Sequence, residues 1–223
     1  MTAPRTYALG RFPEHDERSR SFAAMVPAVK PKTVLWEHNA PVLDQGQLGS
    51  CTGNALAQWM NTDYARTYQF DGMRPPLSEA AAVELYSAAT RIDNVPGHYP
   101  PVDTGSSGLA VCKAAVRAKY LSAYRWVFSF ESLLLALQTS PVIVGTAWYS
   151  GMFTPSHIGQ IQTSGDMVGG HEYLILGADI EHKRITMLNS WGPEWGQDGR
   201  AWMSFAMFRF LLRDHGDVTV PIL

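Results

Sequence analysis

DQGQLGSCTGNALAQW, residues 44–59, changes character at its middle. Up to Ser50 it reads as a tight loop, with Gly46 and Gly49 close together. Beyond Ser50, residues Ala55, Leu56, Trp59, Met60 and Tyr64 fall at helical spacing and form one apolar stripe. A helix is expected from Ser50, as N-cap, to about Tyr68, which puts Cys51 in its first turn. Unpaired N–H groups there carry partial positive charge and favour the thiolate, the nucleophilic form of cysteine. The chain has only one other cysteine, Cys112, which lies on the apolar face of a second helical pattern and is assigned to packing.

A nucleophilic thiol needs a base, and the base needs a group that orients it. Of seven histidines, His15 and His38 fall in polar sequence, while His98, His157, His182 and His215 fall in loops, turns or near the tail. His171 differs: it follows two glycines and opens the apolar run YLILG, so it is expected at the mouth of a strand, held in a fixed direction. Asn189 ends the run ITML, which places it beside His171 on the neighbouring strand of a hairpin. Its side-chain carbonyl can accept from one imidazole nitrogen while the other faces the thiol.

Around these residues the first half of the chain reads helical and the second mainly β. RPPLSEAAAVELYSAATRIDN, with Ser78 as cap, and LAVCKAAVRAKY are helices, and FESLLLALQ is a short one. PVIVGTAWY, HEYLILGADI, RITMLNS and AWMSFAMF are short runs bounded by Gly and Pro, as strands are. Residues 1–32 are polar, with the charge cluster PEHDERSR, and form an N-terminal extension. Its apolar pieces TYALGRF and SFAAMV favour an arm docked on the back of the β half; an arm that enters the cleft and restrains Cys51 is the alternative.

Composition narrows the function classes. Apolar residues make up 46% of the 223, enough for a sizeable core. A formal charge of −2 offers no basic footprint for nucleic acid, and no apolar run is long enough to span a membrane. The charged N-terminus lacks the apolar region of a secretory signal, and two cysteines make no disulfide framework, so a reducing, cytoplasmic setting is expected. HEYLI lacks the second histidine of a zinc motif, GSSGL misses the serine-nucleophile spacing, and neither a phosphate-binding loop nor a paired CxxC occurs. No metal or cofactor is called for.

QGQLGSC, GGH and NSWGPEWGQDG resemble, in this order, the three active-site blocks of papain-like cysteine peptidases. The resemblance implies an α+β, two-lobed fold over residues 33–223. Its mainly helical lobe spans about 41–128 and its β lobe about 129–223, with the active-site cleft between them. It implies hydrolysis of peptide or protein substrates through an acyl-enzyme. Cys51 is then the nucleophile and His171 its partner in a thiolate–imidazolium pair. Asn189 orients His171, Trp191 shields that hydrogen bond, and Gln45 donates to the oxyanion. The loop at Gly105 and Ser106 resembles the strip that pairs with substrate backbone. Glu172 would border the pocket for the second residue before the cut, which, beside Val144, is expected to take an apolar or basic side chain. The chain departs from the usual CGSCW: Leu48 stands where a disulfide cysteine would, Thr52 replaces an aromatic, and Gly170 replaces the usual neighbour of the histidine. A thiol amidase or acyl transferase, and an inactive binding module, are the alternatives; the complete Gln45, Cys51, His171 and Asn189 set speaks against the last.

Overall fold

The computed structural model describes residues 6–70 and 75–223. Its helical half begins with α1 (Cys51–Met60) and α2 (Asp63–Phe70), followed by α3 (Glu79–Thr90) and α4 (Gly108–Arg117). The single helix expected as far as Tyr68 is therefore two. Thr62 makes the break: its hydroxyl donates to the Trp59 carbonyl at 2.6 Å and accepts from the Ala65 N–H at 3.2 Å, ending one helix and capping the next. Every residue of α1 is buried. Gly53 lets α1 press against α3, where a Cβ would meet the Ala82 carbonyl and the Tyr86 N–H. Ser78 and Ser107 cap α3 and α4 by accepting from Ala81 and Ala110.

The strands are β1 (Val34–Leu35), β2 (Ala123–Trp126), β3 (Val142–Tyr149), β4 (Met167–Asp179), β5 (Arg184–Leu188), β6 (Arg200–Ser204) and β7 (Asp217–Ile222). They form one antiparallel sheet in the order β2-β7-β3-β4-β5-β6, with β1 added on β4. Two further helices, α5 (Phe130–Ala136) and α6 (Phe205–Arg213), complete the fold. The run AWMSFAMF, expected as a strand throughout, turns helical after Ser204, whose hydroxyl caps the N–H of Met207.

Alternation along the strands feeds two cores. Ile143, Leu174, Leu176 and Leu188 pack with α1, α3 and α4 on one side. Val142, Val144, Tyr173 and Ile175 join Leu133, Trp148, Phe208 and Leu211 on the other.

The N-terminal extension does two different things. Around the 3-10 turn Glu17–Phe22 it covers the edge strand β2, with the Ala24 N–H donating to the Trp126 carbonyl at 2.7 Å. That relieves an unpaired sheet edge. Residues 6–12 do not follow it onto the back of the sheet, as expected, but run through the groove above Cys51. Hydrogen bonds at 2.7–3.3 Å to backbone groups of Ser106 and Gly170, one on each side of the groove, hold them there.

Candidate active site

The loop before Cys51 is held from two sides. The Gln45 N–H donates to the Ser190 carbonyl at 2.9 Å, and the Gly49 N–H donates to Asp103 Oδ2 at 2.8 Å. Asp103 Oδ1 accepts from the Tyr86 hydroxyl, which in turn accepts the Gly105 N–H at 2.9 Å. One polar relay thus fixes both the cysteine loop and the Gly105 strip. From within α1, Gln58 donates to the Asn189 carbonyl at 2.9 Å, tying the helix to the end of β5.

Cys51 opens α1 as expected, although the Ser50 hydroxyl bonds Asn54 Oδ1 at 2.9 Å instead of capping an N–H. His171 lies inside β4, which begins four residues earlier than expected, and β5 pairs with β4 just beyond it. His171 Nε2 and Asn189 Oδ1 are 2.7 Å apart, and Nδ1 has no hydrogen-bond partner among the described residues. The Glu172 backbone, next to the imidazole, favours the ionised form of the Cys51 thiol. Trp191 stacks on the imidazole at 4.6 Å between ring centroids, and Trp148 meets it edge-on at 4.8 Å. Both indoles are buried, so the His171–Asn189 bond is dry.

The arm fills what remains of the groove. Tyr7 stacks on Trp191 at 4.5 Å. The side-chain amide of Gln45 donates to the Leu48 carbonyl at 2.8 Å and to the Ala8 carbonyl of the arm at 3.3 Å. Ser190 holds the Gln45 Oε1 at 2.7 Å. Gly10 and Arg11 both donate from their N–H groups to the Gly170 carbonyl, at 3.3 and 3.0 Å. Ser106 accepts from Phe12 at 2.8 Å and donates to the Gly10 carbonyl at 2.7 Å, pairing with Arg11 in parallel. Gly105, at φ +70°, leaves room that a Cβ would take from the Gly10 carbonyl and the Phe12 ring. Glu172 is wholly buried and faces Arg11.

This cover changes the electrostatics expected for the pair. Burial pushes the Cys51 thiol up to about 12, against backbone hydrogen bonds from Glu172 and Gly10 that pull the other way. Burial also pulls His171 down to about 4, partly offset by its bond to Asn189. In the covered cleft burial therefore favours the neutral form of both groups.

A pH dependence follows. In water an imidazole takes a proton below about 6.5, but in the closed cleft His171 does so only below about 4. Between those values an opened or unfolded chain binds a proton that the closed one refuses, so falling pH removes stability, up to about 3 kcal/mol from this group. Glu172, raised above the usual carboxylate range by burial and by the charge of Asp217, acts in the opposite sense. The readout is therefore a difference: urea unfolding at pH 7 and at pH 4 should cost the native chain more stability than a His171→Gln chain.

Arg11, Gly10, Ser190, Trp148 and Asp217 belong to this site and were not anticipated. Asp217 carried a local signal, a lone carboxylate opening the apolar alternation DVTVPI. No group of metal-ligating side chains occurs among the described residues, and no helix there is long and apolar enough to cross a membrane.

No protein-family model and no curated protein matches this chain. Solved structures do. Xylellain, a cysteine protease from Xylella fastidiosa, is 20% identical over 100% of this chain and 98% of its own, with a TM-score of 0.78. The bromelain protease from Ananas comosus in complex with the E64 inhibitor is 17% identical over 87% and 100%, with a TM-score of 0.64. Digestive procathepsin L2 from the larval midgut of Tenebrio molitor is 18% identical over 97% and 78%, with a TM-score of 0.69.

Proposed function

The chain has the α+β fold of papain-like cysteine proteases, and from that premise we propose that it is a cysteine peptidase whose cleft is closed by its own N-terminal residues. The observation that carries the reading is the buried His171–Asn189 pair under Trp191, in a chain whose α1 opens on a buried cysteine. With the arm displaced and water readmitted, the helix N-terminus favours a Cys51 thiolate beside a protonated His171. The thiolate attacks the scissile carbonyl carbon, and the carbonyl electron pair moves onto oxygen. Gln45 Nε2, which now holds the Ala8 carbonyl, donates to that oxyanion. Collapse expels the amine, which takes the proton of His171, and leaves a thioester on Cys51. Water, deprotonated by His171, then hydrolyses the thioester and restores the thiol. Asn189 keeps the ring in the plane both transfers need. Both cysteines are free, in keeping with a reducing, cytoplasmic setting.

The arm itself escapes this chemistry by its direction. It pairs with Ser106 in parallel, and its Gly10 and Arg11 N–H groups are taken by the Gly170 carbonyl.

The test is peptide hydrolysis by a chain freed of residues 1–12, with Gln45→Ala as the discriminating variant. An oxyanion donor acts in the transition state, so kcat should fall about 100-fold with little change in KM. An unchanged kcat would reduce Gln45 to a loop residue that positions Ser190.

A further inference from the structure

The seam between the N-terminal extension and the helical half encloses a hollow outside the catalytic groove. Its volume is about 430 Å³, towards the lower end of the ~300–1,000 Å³ typical of small-molecule sites. One wall is the extension, with Asp16 just before the 3-10 turn and Arg18 and Phe22 within it. The opposite wall is α4, where Leu109, Lys113 and Val116 fall at i, i+4 and i+7 and so share one face. The strand β2 completes the lining with Tyr124, Arg125 and Trp126. Three segments far apart in sequence meet here, and the hollow is complete only while the extension lies on β2.

Its surface has an apolar part and a cationic part. Leu109, Val116, Trp126 and Phe22 supply the first, and Phe22 stands 52% exposed, a large ring that an apolar ligand would cover. The second comes from three cations, Arg18, Lys113 and Arg125, set against a single carboxylate, Asp16. Arg18 takes that carboxylate for itself. Its Nε reaches both oxygens, at 2.9 and 3.0 Å. These bonds, with a smaller part from the charge of Lys113, hold Asp16 at about 2. Lys113 and Arg125 are left without an ion-pair partner among the described residues. Arg125 gives one N–H to the Tyr124 carbonyl at 3.0 Å and stands 5.8 Å from the centre of the Phe22 ring. Burial pushes the Tyr124 phenol up, which keeps it a neutral donor. A cationic ligand would be repelled here, an uncharged one would gain nothing from the two cations, and a metal ion would find its one carboxylate already paired. An anion carried on an aromatic ring uses both parts of the surface.

We propose that this hollow binds a small aromatic anion, its ring covered by Phe22, Leu109 and Val116 and its charge taken by Lys113 and Arg125, and that the ligand clamps the extension to the body of the protein. Such a ligand touches both sides of the seam, so it finds its full set of contacts only in the docked state. It stabilises docking by that difference in affinity. The clamp bears on the catalytic groove through the chain alone: residues 13–16 join the held turn to Phe12. The site is independent of the peptidase reading, since none of its residues lies in the groove.

The test uses the full chain and 1-naphthoate as probe. Calorimetric titration should give a Kd on the order of 100 µM, as expected for about a dozen heavy atoms in an open pocket. 1-Naphthylmethylamine, with the same ring and the opposite charge, and acetate, with the charge and no ring, should each bind at least about 10-fold more weakly. Lys113→Gln and Arg125→Gln should each weaken naphthoate about 5-fold. Lys113 has no ion pair to lose, so its variant should keep the native Tm. The second readout is trypsin, which needs an extended backbone and so cuts after Arg18 or Arg20 only when the turn lifts off β2. Naphthoate at about ten times its Kd should slow that cut about 10-fold in the native chain. At the same concentration it should slow it only about 3-fold in Lys113→Gln, a control that also exposes any effect on trypsin itself. Equal affinity for naphthoate and the amine, or unchanged naphthoate binding in both charge variants, would overturn the site. Binding with no slowing of the cut would overturn the clamp.

Discussion

Gly10→Val should unmask Cys51 in an otherwise complete chain. A Cβ at residue 10 would run into the Gly49 backbone, and neither segment can move without breaking its bonds to Ser106 or Asp103. The arm then leaves the groove while its anchorage on β2 remains. In the native chain Cys51 is 0% exposed and its thiol is held at about 12, so iodoacetamide near neutral pH should label it slowly. In the Gly10→Val chain, or in one beginning at Pro13, labelling should be about 100-fold faster, the factor expected if the open form is ~1% populated in the native protein. Cys112, buried in α4, should stay unreactive in all three. Peptide hydrolysis should rise by a similar factor. Equal alkylation of Cys51 in native and opened chains would mean that the arm does not control access to the thiol.

The second large effect is on the chemistry itself. In the opened chain, Cys51→Ala should lower hydrolysis by about 10,000-fold or more, since removal of a nucleophile leaves only binding and the oxyanion donor. His171→Ala should cost nearly as much, because the two act as a unit. Cys112→Ala should keep its rate. Measured turnover in the opened Cys51→Ala chain would reassign the activity to another group.

These two results probe parts of the molecule that differ in how legible they were in the sequence. Cys51, His171, Asn189, Gln45 and Trp191 lie in short blocks, and each block folds locally: a loop into a helix, two glycines into a strand, a strand into a turn. The structure bonds His171 to Asn189, stacks Trp191 on the imidazole and ties Gln45 to Ser190, with Cys51 at the head of α1. Element type was readable for the same reason, and its errors are local too. Thr62 and Ser204 are hydroxyl residues whose capping bonds turn the chain from helix to helix and from strand to helix. The path of residues 6–12 was not readable. Every bond that holds them comes from residues at least 35 positions away, and their own apolar content fits a back-face dock equally well. Asp217 was missed because its meaning depends on Arg11 and Glu172, which only the tertiary fold places beside it.

The anchorage of the extension on β2 has a kinetic meaning. Because Ala24 is fixed to Trp126, residues 6–12 cannot diffuse away when they leave the groove; they remain tethered to it through residues 13–23. A tether of that length presents its occupant at an effective concentration on the order of 1 mM. A free peptide at ~10 µM of equal intrinsic affinity competes at a disadvantage of about 100-fold, and diluting the protein does nothing to change the ratio. Closure of this kind resets itself after each opening. Only severing the chain between Phe12 and Glu17 would make the open state permanent, since the freed segment would then be diluted to the concentration of the protein itself.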